Sequence, residues 1–234
     1  RRAPRGKSVQ SACLSLSRRG QARRTGRRSG ADRRNLWFGG FMVRLLAVAD
    51  IHSRAAAIDA IRDEVGRHAP DATIVAGDLT NYGDAAEVTR VLDSLPGRVL
   101  AIPGNLDVSR AFDAGISKSH AESLVGTRVE IQDDTIAGVH GQPGKRTLPC
   151  DVLVLHEPPL HILDDVGGGR HIGLQDHLEA LRCLKPKLVL CGHCHESPGV
   201  ESLNRTLVVN CTLGRGGRGA LVEIHREQVS ARLL

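Results

Sequence analysis

The 234-residue chain carries a net charge of +6, yet residues 1–41 hold eleven Arg and one Lys against Asp32 alone, a net of +11 that leaves −5 for residues 42–234. The high overall pI therefore describes the first segment and misdescribes the remainder. No apolar stretch reaches the roughly 18 residues of a membrane-spanning helix, and six cysteines in this length are too few for a disulfide scaffold. Beyond Met42 only Tyr82 and Phe112 are aromatic, which argues against a stacking platform for single-stranded nucleic acid and requires an aliphatic core.

Residues 1–41 have no hydrophobic periodicity and are rich in Arg, Ser and Gly, so disorder is expected there. Their charge suits nucleic acid or anionic lipid, and their acid-poor composition suits an organellar transit segment. The preferred reading is that translation starts at Met42, the chain's only methionine, one residue before the first strand-like run. A folded domain over residues 42–234 is expected, working in a reducing cytoplasm on a small substrate. Nucleic acid is expected only through the basic segment, and no membrane partner is expected.

From Met42 onward, short aliphatic runs alternate with helical patterns. Val43–Ala49 reads as a buried strand, followed by a helix to about His68 that Ser53 can cap and that carries Ile58, Ile61 and Val65 on one face. Thr73–Ala76 is a second strand, Asp84–Leu95 a helix stopped by Pro96-Gly97, and Arg98–Ile102 a third strand. This β-α-β-α-β order predicts parallel strands. A short helix is expected near Ser109–Gly115, and Arg128–Ile131 and Thr135–Val139 flank Asp133-Asp134 as a hairpin. Val152–Leu155 reads as a buried strand, Leu174–Leu184 as a helix, and Leu188–Cys191, Thr206–Val209, Ala220–Ile224 and the C-terminal residues as strands. Parallel units followed by antiparallel strands predict an α/β fold of two mixed sheets packed face to face, with helices outside: a four-layer α/β/β/α sandwich. Cys150, Cys183 and Cys211 lie beside or within apolar runs and read as small buried hydrophobes. Lys185 and Lys187 read as solvated.

Acids and imidazoles gather where strands end. Successive strands end in Asp50-Ile51-His52, Gly77-Asp78, Gly104-Asn105-Leu106-Asp107, His156-Glu157 and Gly192-His193-Cys194-His195. In open α/β sheets ligands bind outside the carboxyl ends of the strands. One such ending is ordinary turn chemistry, but five on one rim, all of metal-ligand type, form a candidate metal site. A mixed oxygen and nitrogen set suits Mn²⁺, Fe, Zn²⁺ or Co²⁺ rather than Ca²⁺. Glycine before Asp78, Asn105 and His193 is expected to permit sharp backbone turns there. The last ending has competing readings, because Cys191-Gly192-His193-Cys194-His195 also fits a C-x-x-C dithiol and a C-x-x-C-H haem attachment.

In order, D-x-H, G-D, G-N-x-D, H and G-H-x-H resemble the calcineurin-like metallophosphoesterase superfamily. The runs VLHEPPL, RHIGL, KPKLVLCGHCHES and TLVVN resemble its branch of predicted phosphoesterases related to bacterial cyclic-AMP phosphodiesterase. The thiol readings then recede: HESPG after Cys194 cannot continue the helix a redox dithiol opens, and composition offers no aromatic pocket for haem. Cys194 is expected to point away from the metals. The resemblance implies hydrolysis of phosphate esters, phosphodiesters favoured, by a water shared between two divalent metals, Mn first among Mn, Fe, Zn, Co and Ni. It implies that one metal takes Asp50, His52, Asp78 and His195 and the other Asp78, Asn105, His156 and His193. Asp78, Asn105, His156 and His195 are the implied catalytic residues. Asn105, Arg170 and His171 are expected to hold substrate, with the Gly167–Gly169 run allowing close backbone approach; Asn81 and His161 are weaker candidates. Relatives that have lost ligands act as scaffolds, and a silent interaction protein is the rival reading. Many members of the superfamily carry His where this chain has Leu106.

Overall fold

The computed structural model describes residues 42–141 and 148–234; the expectations for residues 1–41 fall outside them. The described residues form β1 (Met42–Val48), α1 (Ala55–His68), β2 (Ala72–Ala76), α2 (Ala85–Asp93), β3 (Val99–Ile102), α3 (Ser109–Ile116) and β4 (Glu122–Ser123). There follow β5 (Arg128–Ile131), β6 (Asp134–Gly138), β7 (Val152–Val154), α4 (Gln175–Leu184), β8 (Leu188–Cys191), β9 (Gly199–Leu203), β10 (Thr206–Asn210), β11 (Ala220–His225) and β12 (Gln228–Leu233).

Two six-stranded sheets result, ordered β12-β11-β1-β2-β3-β4 and β5-β6-β7-β8-β10-β9. β1 to β4 run parallel, as the βαβ pattern requires, while β11 joins β1 antiparallel. In the second sheet β6, β7, β8 and β10 are parallel, flanked by antiparallel β5 and β9.

Alternation along the strands sorts residues into layers. Leu45, Ala47, Ile74, Leu100 and Ile102 meet Ile136, Val154, Leu190 and Val209 between the sheets. The opposite faces of β1 to β3 offer Leu46, Val48, Val75 and Val99 to Ile58 and Ile61 of α1, Val91 and Leu92 of α2, and Phe112 of α3. Leu153, Val189 and Val208 pack on Leu178 and Leu181 of α4. The molecule is thus the expected four-layer sandwich, with Phe112 its one buried aromatic among the described residues. Burying each such Leu or Ile contributes on the order of 1.5–3 kcal/mol.

Four local expectations are corrected. Ser53 does not cap α1: its backbone is left-handed at φ 55°, its amide donates to the Leu79 carbonyl, and Arg54 takes the cap position with no side-chain cap bond. The β5–β6 turn is Gln132-Asp133, while Asp134 pairs in the ladder with Ile131 and its carboxylate contacts Lys187. Lys187 is therefore not solvated; its ammonium lies between Asp134 and the Arg226 carbonyl. Cys183 falls on the outer face of α4 and is exposed. β4 and β9 were unforeseen, one being two residues long and the other an edge strand of largely exposed GVESL.

Candidate metal centre

The loops after β1, β2, β3, β7 and β8 converge on one rim. One donor atom each from Asp50, His52 and His195 lies within 4.8 Å of the others, and so do donors of Asp50, Asp78 and His156. Asn105 extends the cluster: its Oδ1 is 2.8 Å from His156 Nε2 and 2.9 Å from His193 Nδ1. His156 Nε2 is also 3.5 Å from Asp78 Oδ1, and His195 Nε2 is 3.5 Å from Asp50 Oδ1. All seven expected side chains meet.

Backbone strain is concentrated here. Asp50, His52, Asp78 and His193 are left-handed, at φ 63°, 51°, 52° and 66°, a conformation that costs a non-glycine residue free energy and collects at functional sites. Two of the three glycines play a different part from the one expected. Gly77 does need its φ of 93°, but Gly104 and Gly192 serve close approach. A Cβ on Gly104 would lie 2.2 Å from Asp78 Oδ1, and one on Gly192 would lie 2.3 Å from Ala49 Cβ.

Several supporting groups carry no sequence signal beyond their residue type. Asp107 accepts from the amides of Leu79, Thr80 and Gly104 and from the Thr80 hydroxyl, tying the second loop to the third. Arg54 Nη2 donates to the carbonyls of Asp50 and Leu213. The amide of Leu106 donates to Asp78 Oδ1 at 2.8 Å, and that of His193 donates to Asp50 Oδ2 at 3.1 Å. A Cβ on Gly214 would meet the His195 ring at 2.6 Å. Only Asp107 stood in a recognisable pattern, as the last letter of G-N-x-D.

The electrostatics of the cluster fit a cation. Burial alone would raise the Asp50 carboxyl, but hydrogen bonding to His195 and the charge of His156 outweigh it and hold Asp50 below the usual carboxylate range. Burial alone would lower His156, yet its hydrogen bond to Asp78 and the nearby carboxylates push it up to about 9. Contact with Asp50 likewise raises His195, whereas burial and the His156 charge lower His193. Among the described ion pairs the two buried carboxylates meet only imidazoles, and His52 Nδ1 is buried without a hydrogen-bond partner. His156 Nδ1 lies 2.9 Å from the Ala76 carbonyl, which orients the ring and leaves Nε2 to face the cluster. The donor set fits divalent cations.

Of the substrate candidates, Asn105 stands in the cluster itself. Among the described hydrogen bonds none joins Arg170, His171, His161 or Asn81 to the seven residues. His171 Nδ1 instead contacts buried Asp164 at 2.6 Å, and its ring packs edge-on against His161 with centroids 4.4 Å apart. A cavity of about 830 Å³ involving Arg182, Lys185 and Arg205 sits at the opposite ends of β8 and β10 and takes no part in the site.

The sequence of residues 43–217 matches the calcineurin-like phosphoesterase superfamily domain. The chain belongs to that superfamily. It is 28% identical over 221 residues to metallophosphoesterase domain-containing protein 1 of Homo sapiens, covering 73% of this chain and 66% of the human protein. It is 24% identical over 201 residues to an uncharacterized protein of Methanocaldococcus jannaschii, covering 72% and 87% of the two chains. A crystal structure from Thermus thermophilus superposes with a TM-score of 0.63 at 15% identity, over 82% of this chain and 99% of that one, a likeness of fold. Among the described residues no helix is long and apolar enough to cross a membrane.

The superfamily membership disfavours the thiol readings, and so does the packing. Cys191 and Cys194 are free and fully buried. Burial pushes the Cys191 thiol well above its ordinary value, and the nearby Cys211 and Asp50 add to this. A thiol reagent applied to the native protein should modify Cys183 and leave Cys191, Cys194 and Cys211 untouched until denaturant is added. Peptide mapping by mass spectrometry checks this, and rapid native labelling of Cys191 and Cys194 would restore the redox reading.

Proposed function

We propose that residues 42–234 form a phosphoesterase with two divalent metals, Mn²⁺ first, that hydrolyses phosphate esters with a preference for diesters. The observation that carries this is the convergence of Asp50, His52, Asp78, Asn105, His156, His193 and His195 from five separate loops. Asp50, His52, Asp78 and His195 would hold one ion, and Asp78, Asn105, His156 and His193 the other. Bound there, the metals would supply Lewis-acid polarisation of phosphoryl oxygens and an activated water. The chain's own part is to keep the imidazoles oriented and Asp78 correctly aimed. The Ala76 carbonyl does the first for His156, and the Leu106 amide does the second by donating a hydrogen bond to Asp78 Oδ1. Neutral imidazoles and one amide keep the ligand charge low, which favours electrophilic metals. Arg170 is proposed to pair with phosphate oxygens and His171 to contact the ester; Asp164, at 2.6 Å from His171 Nδ1, sets that ring's orientation.

The test is direct. Chelated protein should lose hydrolysis of bis(p-nitrophenyl) phosphate, regain it with Mn²⁺, and melt at a lower temperature without metal. A scaffold would bind substoichiometric metal and hydrolyse no ester in a panel of mono- and diesters.

A further inference from the structure

Tyr82 is the chain's only tyrosine, and its side chain stands in solvent at 70% exposure, although a tyrosine normally buries much of its ring. Its position is tied to the metal rim by two hydrogen bonds in series. The Tyr82 amide donates to the Leu106 carbonyl at 2.8 Å, and the Leu106 amide donates to Asp78 Oδ1 at 2.8 Å. The Tyr82 backbone is thus linked through Leu106 to the Asp78 carboxylate, which puts this exposed residue on the loops that bear the cluster. Its backbone is left-handed at φ 55°, a conformation glycine or asparagine would hold at less cost.

A second apolar side chain lies on the same rim. Val108, two residues past Leu106, is 45% exposed. Only five large hydrophobics are exposed among the described residues, so two of the five flank the Asn105-Leu106 loop. Leu106 itself is half-buried. The loops that carry the polar ligands Asp78 and Asn105 therefore also carry an exposed aromatic ring and two alkyl groups. Phosphate needs no such groups, and a sugar or a charged alcohol would gain little from them. A flat aromatic ring gains stacking area, and a tyrosine face accepts any base without hydrogen-bond readout.

We propose that Tyr82 is a specificity-determining residue whose ring stacks on a planar aromatic group carried by the ester, a nucleobase or an aryl ring, beside the metal-bound phosphate. This rests on the phosphoesterase reading and refines it to a substrate class.

The experiment uses the full chain loaded with Mn²⁺ for affinities and with diamagnetic Zn²⁺ for NMR, where ring-labelled tyrosine yields signals from Tyr82 alone. Four phosphates are titrated: AMP, ribose 5-phosphate, phenyl phosphate and methyl phosphate. AMP should bind about 5- to 100-fold more tightly than ribose 5-phosphate, and should shift the Tyr82 ring signals as ribose 5-phosphate does not. Tyr82→Ala should erase that preference while keeping the metal content and the ribose 5-phosphate affinity, and Tyr82→Phe should restore it. A matching gain for phenyl over methyl phosphate would assign the ring to the alcohol directly on phosphorus. A gain for AMP alone would assign a base at nucleoside distance. Equal binding of all four, or a preference that survives Tyr82→Ala, overturns the inference while leaving the phosphoesterase reading intact. Failure of a fully metal-loaded protein to bind any of the four overturns both.

Discussion

Asp78→Asn should be the most damaging single substitution in this protein, lowering turnover by at least about 10²–10³-fold and leaving the purified protein with less than one metal per chain. Asp78 is 3% exposed, its donor lies within 4.8 Å of those of His156 and Asp50, and its Oδ1 accepts a hydrogen bond from the Leu106 amide. Losing one oriented catalytic group of this kind costs about 10²–10³-fold, and here one change weakens both proposed metal positions. An amide at 78 also removes the negative charge that a pair of cations requires. Gly104→Ala should produce the same metal loss without altering any charge, because its Cβ would stand 2.2 Å from Asp78 Oδ1 and 2.4 Å from the Asp78 amide nitrogen, too close for relaxation of a side chain alone. Metal content and turnover, measured together, decide the matter. Two bound metals and near-normal rates in Asp78→Asn would sink the bridging assignment.

The second large effect concerns the leaving group. An alkyl side chain at Leu106 can neither protonate nor hydrogen-bond a departing oxygen, a service typically worth about 10²–10⁴-fold. Phenolates leave readily without a proton, and alkoxides do not. Aryl diesters should therefore be cleaved well, while phosphoserine peptides should be slower by about that factor. Leu106→His should narrow the gap from the alkyl side, since the loop already brings residue 106 to Asp78 through its backbone. The His161–His171 pair on the loop after β7 is another source of imidazole. Efficient phosphoserine hydrolysis by the unmodified protein, persisting with alanine at both of those histidines, would refute this reading of Leu106. A preference for aromatic esters and a rim bearing Tyr82 are mutually consistent, and they are tested by different measurements.

Much of the fold was legible because its signals are periodic. Buried runs such as LLAV and TIVA read as parallel strands, and Ile58, Ile61 and Leu178, Leu181 marked the helix faces that pack on them. Where a local rule failed, a distant partner had prevailed. Ser53 reads as a cap from its neighbours, but the Leu79 carbonyl claims its amide and holds the backbone left-handed. Lys187 reads as solvated from KPK, but the strand register sets it beside Asp134. Gly104 and Gly192 read as turn residues, but what excludes a side chain there is an atom of Asp78 or Ala49 on another segment.

By itself the sequence determined the chemistry of the rim: which residue types end each of five strands, and hence that oxygen and nitrogen donors would gather there, while the packing showed Cys191 and Cys194 buried. Strand ends and turn residues are local, so spacing reveals them. The tertiary structure alone decided that Asn105 bridges two imidazoles, that Asp107 couples the second loop to the third, and that the segment after β10 crosses to β1 and packs Gly214 on His195. It alone carried Tyr82 to the Leu106 carbonyl. The bonds of Asp107 to Leu79 and of Asn105 to His193 join residues 28 and 88 positions apart, and that of Arg54 to Leu213 spans 159. Their geometry follows from which strands lie side by side, which no local periodicity encodes.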